Sequence, residues 1–295
     1  MKSVRLLVGD GAGGALWGGK VAYFIKQAGD FVEILYSSRN ETFRPFKYLL
    51  GDTYPLIQIP EDVQDKIIND EELYFQYKGD YDECYVIIPD HLYRHKYSFD
   101  YKKYGVHPQL IQSLRLFTDK WNPKNIIYVG LISSTPEYIY NFIQTIIKFL
   151  AQELPNYLIY FNNVTKWANK ELNNGDFNNL PLNVFYFENQ DFIDSLKWLS
   201  RSCYCLCVDN GIAHIAHSFG IPRTVISKRL NFDGIPWVSR WYEDLSECIS
   251  YDYSPKDIAR LVALNINVPQ TCLIPRKFVI ENLDCNWNEK LLFKF

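Results

Sequence analysis

The chain has 295 residues, of which 47% are hydrophobic and 22% are charged, and its formal net charge is −3 at pH 7. That length suits two domains of moderate size, each with its own core. Proteins that neutralise many phosphates usually carry a basic face, so this charge balance gives nucleic acid binding no support. We therefore expect no nucleic acid partner.

The seven cysteines favour a reducing compartment. Their number is odd, and the first residues lead into a strand rather than a signal peptide, so we expect free thiols and a cytoplasmic location. Cys203, Cys205 and Cys207 alternate along one apolar run without a second pair at zinc-like spacing. We interpret them as buried small hydrophobes and expect no metal site. No apolar run reaches the length of a membrane span, which allows only a peripheral membrane contact.

The first part of the chain alternates apolar runs with helical segments. A helix is predicted over Ala15–Gln27, weakened by Gly18 and Gly19. The stretch Asn40–Asp82 predicts short irregular strands and one helix. The predicted strands are Val4–Val8, Phe31–Tyr36 and Tyr85–Ile88.

The second part shows the same alternation more clearly. A helix is predicted from Thr135, with an apolar stripe that ends at Leu150, and another over Gly211–Phe219. A late helix begins after Ser254. The predicted strands are Ile126–Val129, Tyr157–Phe161, Val184–Phe187, Tyr204–Val208 and Thr224–Ile226.

Strands that alternate with helices imply parallel sheets covered by helices on both faces. Two such series occur, and the polar stretch Trp121–Lys124 is the best boundary between them. The prediction is an α/β protein with two Rossmann-like domains and a cleft between them. Residues 1–122 form the first domain, residues 123–275 form the second, and residues 276–295 form a tail that packs back on the first.

The strongest motif is the turn that joins a predicted buried strand to the helix Gly211–Phe219. Glycine at this point lets a ligand approach the free N–H groups and positive dipole end of the helix, which suits a diphosphate. His214 projects from the same first turn, and Asp209 can bind sugar hydroxyls or orient the backbone. Ligands of open α/β sheets sit at the carboxyl ends of strands. Roles in binding the diphosphate-containing ligand are therefore predicted for Ser133, Ser134, Thr135, Asp209, Asn210, Gly211 and His214.

This stretch resembles the D-[ST]-G-x-x-H-x-A…G-x-P signature of heptosyltransferase-like enzymes of glycosyltransferase family nine, which have the GT-B fold. The matching residues are Asp209, Gly211, His214, Ala216, Gly220 and Pro222. Asn210 stands where the family has a hydroxyl residue, and Ile212 stands where it often has proline. The strand–helix order from Ile126 to Ile226 also agrees, so the likeness covers most of the second half.

The resemblance implies transfer of a sugar from a nucleotide-sugar donor to a glycan, a lipid-linked glycan or another hydroxyl acceptor. It implies inversion, no metal and no cofactor besides the donor. The family usually has a basic residue in the loop after the first strand of the donor domain. Here residues 130–135 contain no lysine or arginine, which makes Lys228 or Arg229 the candidate for that positive charge.

A glycine-rich loop follows the first predicted strand and contains Gly11, Gly13 and Gly14. By the same resemblance this loop belongs to the acceptor side, and Asp10 is the candidate general base for an acceptor hydroxyl. A simpler interpretation is that Asp10 caps the following helix. Sequence alone leaves both interpretations open.

Two other functions remain open. Gly9, Gly11 and Gly14 fit the G-x-G-x-x-G pattern of dinucleotide-binding domains. Ser37, Ser38 and Arg39 after the second strand would then hold the 2′-phosphate of NADP in an oxidoreductase. The missing basic residue in the donor loop instead favours a non-catalytic sugar-nucleotide-binding module.

Overall fold

A computed structural model describes residues 1–9, 11–87, 95–133, 142–164, 177, 179–227, 248–250 and 252–267. Within these ranges the strands are β1 Ser3–Val8, β2 Phe31–Ser37, β3 Leu56–Ile59, β4 Glu83–Ile87, β5 Lys124–Gly130, β6 Leu158–Asn163, β7 Val184–Glu188, β8 Ser202–Val208, β9 Arg223–Ser227 and β10 Cys248–Ser250. The α-helices are α1 Ala12–Gln27, α2 Asn40–Leu50, α3 Val63–Ile67, α4 Glu71–Lys78, α5 Pro108–Ser113, α6 Ile143–Glu153, α7 Phe192–Leu199, α8 Gly211–Phe219 and α9 Pro255–Asn267. Among the described helices, none has both the length and the apolar character that crossing a membrane requires.

The contacts divide the chain into two compact units. The first unit contains Met1–Trp121 together with Asp191–Lys197 and His214–Gly220. The second unit contains Asn122–Gln190, Trp198–Ala213 and the chain from Ile221 onward. Each unit has its own sheet, as expected for two α/β domains. The predicted tail of residues 276–295 lies outside the described residues.

The sheet of the first unit has the strand order β3-β2-β1-β4, and all its pairs are parallel. The chain order reverses between β1 and β4, so this sheet has its topological switch point there. The prediction for Asn40–Asp82 was wrong in detail, because this stretch forms α2, β3, α3 and α4. Helices α3 and α4 have only 5 and 8 residues, and Pro45 lies inside α2, so the sequence shows no long uninterrupted apolar period here.

Helix α1 begins at Ala12, before the predicted start at Ala15, and continues through Gly18 and Gly19. A Cβ atom on Gly14 would lie 2.9 Å from the carbonyl oxygen of Gly9, and one on Gly18 would lie 2.6 Å from Val8 Cγ2. These two residues are one turn apart and let α1 pack directly against the end of β1. The close packing supplies contacts that offset the low helix propensity of glycine.

The sheet of the second unit has six strands in the order β10-β9-β8-β5-β6-β7, and all its pairs are parallel. This is the order of a doubly wound nucleotide-binding fold, with the switch point between β5 and β8. Helix α6 buries the predicted apolar stripe, which includes Ile146 and Leu150, in the same core as Ile258 of α9. Burying one such side chain contributes about 1.5–3 kcal/mol. The predicted helix start at Thr135 lies outside the described residues.

The amino end of the first sheet carries a charged cluster around Glu83. Its carboxylate accepts hydrogen bonds from Lys2 Nζ at 2.9 Å and from Tyr85 Oη at 2.5 Å, and it also pairs with Lys103. Burial raises the pKa of Glu83, but the hydrogen bonds from Lys103, Tyr85 and Lys2 outweigh that effect and lower it to about 2 from its ordinary 4.5. The ionised form is therefore favoured in the folded protein.

We expect Glu83→Gln to reduce stability at pH 7 and to flatten the acid side of the stability profile. Because the folded-state pKa is depressed, the contribution of Glu83 is present above its ordinary pKa of 4.5 and is lost as the pH falls toward about 2. Urea unfolding at several pH values measures this difference. Glu72→Gln, at an exposed position of α4, is the control. Parallel profiles for Glu83→Gln and wild type across that window would contradict the prediction.

Candidate functional site

The second unit brings the ends of β5 and β8 together at its switch point. The two strands pair in parallel, with Gly130 opposite Cys207, so the segments that follow them leave the sheet side by side. Crevices of this kind, outside the carboxyl ends of the strands, are where open α/β sheets bind ligands. The predicted donor motif begins here, because Asp209 and Asn210 lie between β8 and α8.

Asn210 joins the two sides of this crevice. Its Nδ2 donates to the carbonyl oxygens of Gly130 at 2.9 Å and Ile132 at 2.8 Å. Its Oδ1 accepts from the N–H groups of Ile212 at 3.0 Å and Ala213 at 3.3 Å. Asn210 is therefore the N-cap of α8 and also ties that helix to the segment after β5.

The end of β5 lies close to α8, so a side chain at position 130 would be tight against that helix. A Cβ atom on Gly130 would lie 3.0 Å from Ile212 Cγ2. Glycine at the end of β5 thus permits the close approach that the Asn210 hydrogen bonds require. A larger residue at position 130 would require the Ile212 side chain to shift by a few tenths of an ångström.

The other predicted donor residues are placed around this crevice. Ser133 follows β5 and is buried, whereas Asp209 and His214 are partly exposed. The N–H of Asp209 donates to the carbonyl oxygen of Ile226 in β9 at 3.2 Å. Gly211 is the first residue of α8. Ser134, Thr135 and Lys228 were also predicted to bind the donor, and they lie outside the described residues.

The far end of α8 has a structural role. Gly220 ends the helix with a φ of 84°, a conformation that favours glycine. The side chain of His217 is 7% exposed, and its Nε2 lies 3.4 Å from the carbonyl oxygen of Ser113. Gly220 and His217 are thus explained by packing, which leaves the first turn of α8 as the part available to a ligand.

The polar groups at the carboxyl ends of β6 and β7 were not recognised in the sequence. Asn162 exchanges two hydrogen bonds with the backbone of Gln190, both at 3.1 Å. Tyr160 Oη donates to Gln190 Oε1 at 2.6 Å. This network holds the segment after β7 against the end of β6, at the same edge of the sheet as the crevice. Asparagines in strand ends carry no distinctive sequence signal, and the contacts depend on strand order.

In the first unit, the glycine-rich loop lies at the switch point between β1 and β4. Gly11 is the N-cap of α1 and has a φ of 95°, so glycine is favoured there. Its carbonyl oxygen accepts from Tyr36 Oη at 3.2 Å. A Cβ atom on Gly13 would meet no atom within 4 Å. Asp10 lies outside the described residues, but the N-cap position that follows it is taken by Gly11.

Gln64 of α3 also reaches this switch point, and the sequence gave no sign of it. Its Nε2 donates to the carbonyl oxygen of Ile87 at the end of β4. Its Oε1 occupies the space that a Cβ atom on Gly9 would need. The side chain therefore spans the ends of β1 and β4, and a larger residue at position 9 would have to displace it.

These contacts disfavour the NADP hypothesis. The Gln64 side chain fills part of the crevice in which a pyrophosphate would bind. The Ser37 hydroxyl donates to the carbonyl oxygen of Pro60 at 2.7 Å and accepts from the N–H of Val63 at 3.1 Å. Arg39 pairs with Glu61 at 3.2 Å. Two of the three groups proposed for the 2′-phosphate thus have protein partners.

The described residues contain no group of three or more histidine, cysteine, aspartate or glutamate side chains placed to hold a metal ion.

Comparison with solved structures shows similar chains. The E. coli ADP-heptose LPS heptosyltransferase II has 10% sequence identity and a TM-score of 0.58, covering 90% of this chain and 98% of that one. A glycosyltransferase family 9 protein from Veillonella parvula has 12% identity and a TM-score of 0.53, covering 95% of both chains. The E. coli heptosyltransferase WaaC with ADP-2-deoxy-2-fluoro heptose has 11% identity and a TM-score of 0.50, covering 95% and 99%. No protein-family model and no curated protein sequence matches this chain.

These likenesses show the fold. The chain has the GT-B architecture of two Rossmann-like domains, as the strand–helix pattern and the motif at Asp209 predicted.

Proposed function

We propose that this protein is a glycosyltransferase that transfers a sugar from a nucleotide-sugar donor to a hydroxyl of a glycan or lipid-linked glycan. The reaction inverts the anomeric centre and uses no metal. The observation that carries the proposal is the crevice between β5 and β8, where the first turn of α8 follows a buried parallel strand. A helix start in this position is a binding site for a phosphate group.

In the proposed complex, the donor diphosphate lies against the first turn of α8 at Gly211. His214 projects from that turn and can donate a hydrogen bond to a phosphate oxygen. Asp209 accepts hydrogen bonds from sugar hydroxyls. Ser133 contributes from the segment after β5, and we assign Ser134, Thr135 and Lys228 to the same site on sequence grounds.

The acceptor side of the reaction is assigned to the loop that contains Gly11, Gly13 and Gly14. Asp10 acts there as general base and takes the proton from the acceptor hydroxyl while its oxygen forms a bond to the anomeric carbon. The bond from that carbon to the diphosphate breaks, and the nucleoside diphosphate leaves with its electron pair. The positive end of α8 stabilises the negative charge that develops on the leaving group.

A cytoplasmic location is part of the proposal. Cys84, Cys203, Cys205 and Cys207 are free thiols, and all except Cys203 are buried. Burial raises the pKa of Cys84 to about 12, so this thiol stays protonated and unreactive. The thiols act as apolar packing groups, which suits a reducing compartment.

Thermal unfolding with a panel of ligands tests the proposed function. ADP-, GDP-, UDP-, CMP- and dTDP-sugars are added separately, with NADPH as the rival ligand. A ligand at a hundred times its Kd stabilises the folded state by about 2.7 kcal/mol. We expect one class of nucleotide sugar to raise the Tm and NADPH to leave it unchanged.

The result also separates the alternatives. Stabilisation by NADPH alone would overturn the glycosyltransferase proposal. Stabilisation by a nucleotide sugar, followed by no transfer to glycan acceptors and no slow hydrolysis of the donor, would instead indicate a binding module of the same fold. Transfer and hydrolysis are measured as well as binding because residues 130–135 contain no lysine or arginine.

A further inference from the structure

We propose that Asn210 is a positioning residue that sets the width of the donor crevice, and that it acts on the ligand through the segment Gly130–Ser133. This inference rests on the proposed function. It replaces direct contact between Asn210 and the donor with an indirect role. The residues it positions lie on both sides of the crevice.

The hydrogen bonds of Asn210 leave its side chain little capacity for a ligand. A carboxamide offers two N–H donors and a carbonyl oxygen with two lone pairs. Both donors are directed at Gly130 and Ile132, and the oxygen accepts from Ile212 and Ala213. A donor molecule that bound to this side chain would have to displace one of these partners.

The contacts join parts of the chain that are distant in sequence. Asn210 is 80 residues from Gly130 and 78 residues from Ile132. Both partners belong to the segment that leads directly to Ser133. Gly130 is the last residue of β5 that pairs with β8, and Ile132 lies beyond it, so the asparagine extends the connection past the end of the sheet.

The two residues that depart from the family motif, Asn210 and Ile212, contact each other and the end of β5. Proline at 212 would have no N–H to donate, whereas Ile212 donates to Asn210 Oδ1 and also packs its Cγ2 against Gly130. A serine at 210 could cap the helix but has only one O–H to donate across the crevice. Asn210 and Ile212 together therefore connect α8 to the end of β5 through hydrogen bonds and packing that serine and proline at these positions could not reproduce.

The hydrogen bonds of Asn210 also reduce the number of backbone N–H groups that α8 can offer to a phosphate. The N–H groups of Ile212 and Ala213 are engaged by Asn210. A phosphate oxygen that approaches the first turn meets Gly211 before it meets these groups. The position of the segment Gly130–Ser133 then decides how closely the phosphate can approach.

Asn210→Ser separates the helix-capping role of Asn210 from its hydrogen bonds to Gly130 and Ile132. Serine caps helices about as well as asparagine, so α8 keeps its N-cap, while the bridge to Gly130 and Ile132 is lost. The substitution is neutral, so it adds no charge that would repel a phosphate.

Asn183→Ser is the matched control. Asn183 Nδ2 bridges the carbonyl oxygens of Ala151, Leu154 and Tyr157 at 3.1–3.4 Å, just before β7 and therefore at the amino edge of the same sheet. Its loss should lower stability to a similar degree while leaving the donor crevice unchanged.

Two measurements are made well below the Tm of every variant. Hydrogen exchange of the ligand-free proteins should be faster at Gly130–Ser133 in Asn210→Ser, and in Asn183→Ser it should be faster around Ala151–Tyr157 instead. Calorimetric titration with ADP, GDP and UDP in parallel should show a Kd raised roughly threefold to thirtyfold in Asn210→Ser, the range for a residue that acts without touching the ligand. The Kd of Asn183→Ser should equal that of wild type.

Wild-type affinity or unchanged exchange at Gly130–Ser133 in Asn210→Ser would overturn the positioning role. An equal loss of affinity in both variants would also overturn it, because the effect would then follow general stability. Failure of the wild type to bind any nucleotide would refute the proposed function itself. That outcome is distinct, because it appears before any variant is compared.

Discussion

Gly211→Val is expected to weaken nucleotide-sugar binding by about a hundredfold or more while the protein still folds. Gly211 opens α8, and a β-branched side chain there would occupy the space through which a phosphate reaches the backbone N–H groups. Hydrogen bonds to charged groups contribute about 1.5–3 kcal/mol each, so losing the proposed bonds from the Gly211 N–H and the His214 side chain accounts for that factor. Calorimetric titration with the nucleotide sugar selected in the ligand panel measures the change.

The control for Gly211→Val is Lys256→Val, which places the same side chain at an exposed position in the first turn of α9. Lys256→Val loses a few tenths of a kcal/mol of helix propensity, whereas Gly211→Val gains a similar amount, so propensity cannot account for a loss of affinity in Gly211→Val. Equal ligand affinity in Gly211→Val and wild type would remove the first turn of α8 from the donor site. A folding defect in Gly211→Val, measured by thermal unfolding, would require Gly211→Ala in its place with the same expected direction.

Much of the fold could be predicted because its signals are local. Buried strands such as Tyr204–Val208 are short apolar runs, and α8 was predicted with the bounds that it has, since a glycine stands at each end. The region Asn40–Asp82 could not be predicted well because α3 and α4 are short and because α2 contains Pro45, a residue that normally ends a helix. Periodicity loses its value when a helix has only one or two turns.

The glycines show where local reasoning fails. Gly18 destabilises a helix in isolation, yet here it allows α1 to contact Val8. The effect of Gly18 depends on its contact with β1, and intrinsic helix propensity takes no account of tertiary contacts. A side chain at position 9 would likewise have to displace that of Gln64, more than fifty residues away in the chain. Neither requirement can be deduced without the tertiary contacts.

The candidate site likewise contains one feature that the sequence predicts and one that it does not. Asparagine before a glycine at a helix start predicts an N-cap, and the cap of α8 is present. The bridge from Asn210 to Gly130 and Ile132 depends on β5 and β8 being neighbours, which follows from the strand order and not from either motif. A role assigned from a motif position can therefore be indirect in the folded protein.

Asp10→Asn is expected to lower turnover by about a hundredfold or more, with little change in donor affinity. Asparagine keeps the size of the side chain but cannot accept a proton from the acceptor hydroxyl, and general-base catalysis contributes about 10²–10⁴-fold. The helix-cap interpretation predicts near-normal turnover instead, because asparagine caps a helix as well as aspartate does.

A true capping aspartate in the same unit provides the control. Asp70 is the N-cap of α4, and its side chain accepts from the N–H of Leu73 at 2.9 Å. Asp70→Asn should therefore retain both stability and turnover. The two variants are compared by initial rates at saturating donor and acceptor over a range of pH, because loss of a general base also removes the acidic limb of the rate profile. If Asp10→Asn turns over like Asp70→Asn and keeps that limb, Asp10 is not the base, and the proton of the acceptor must leave by another group.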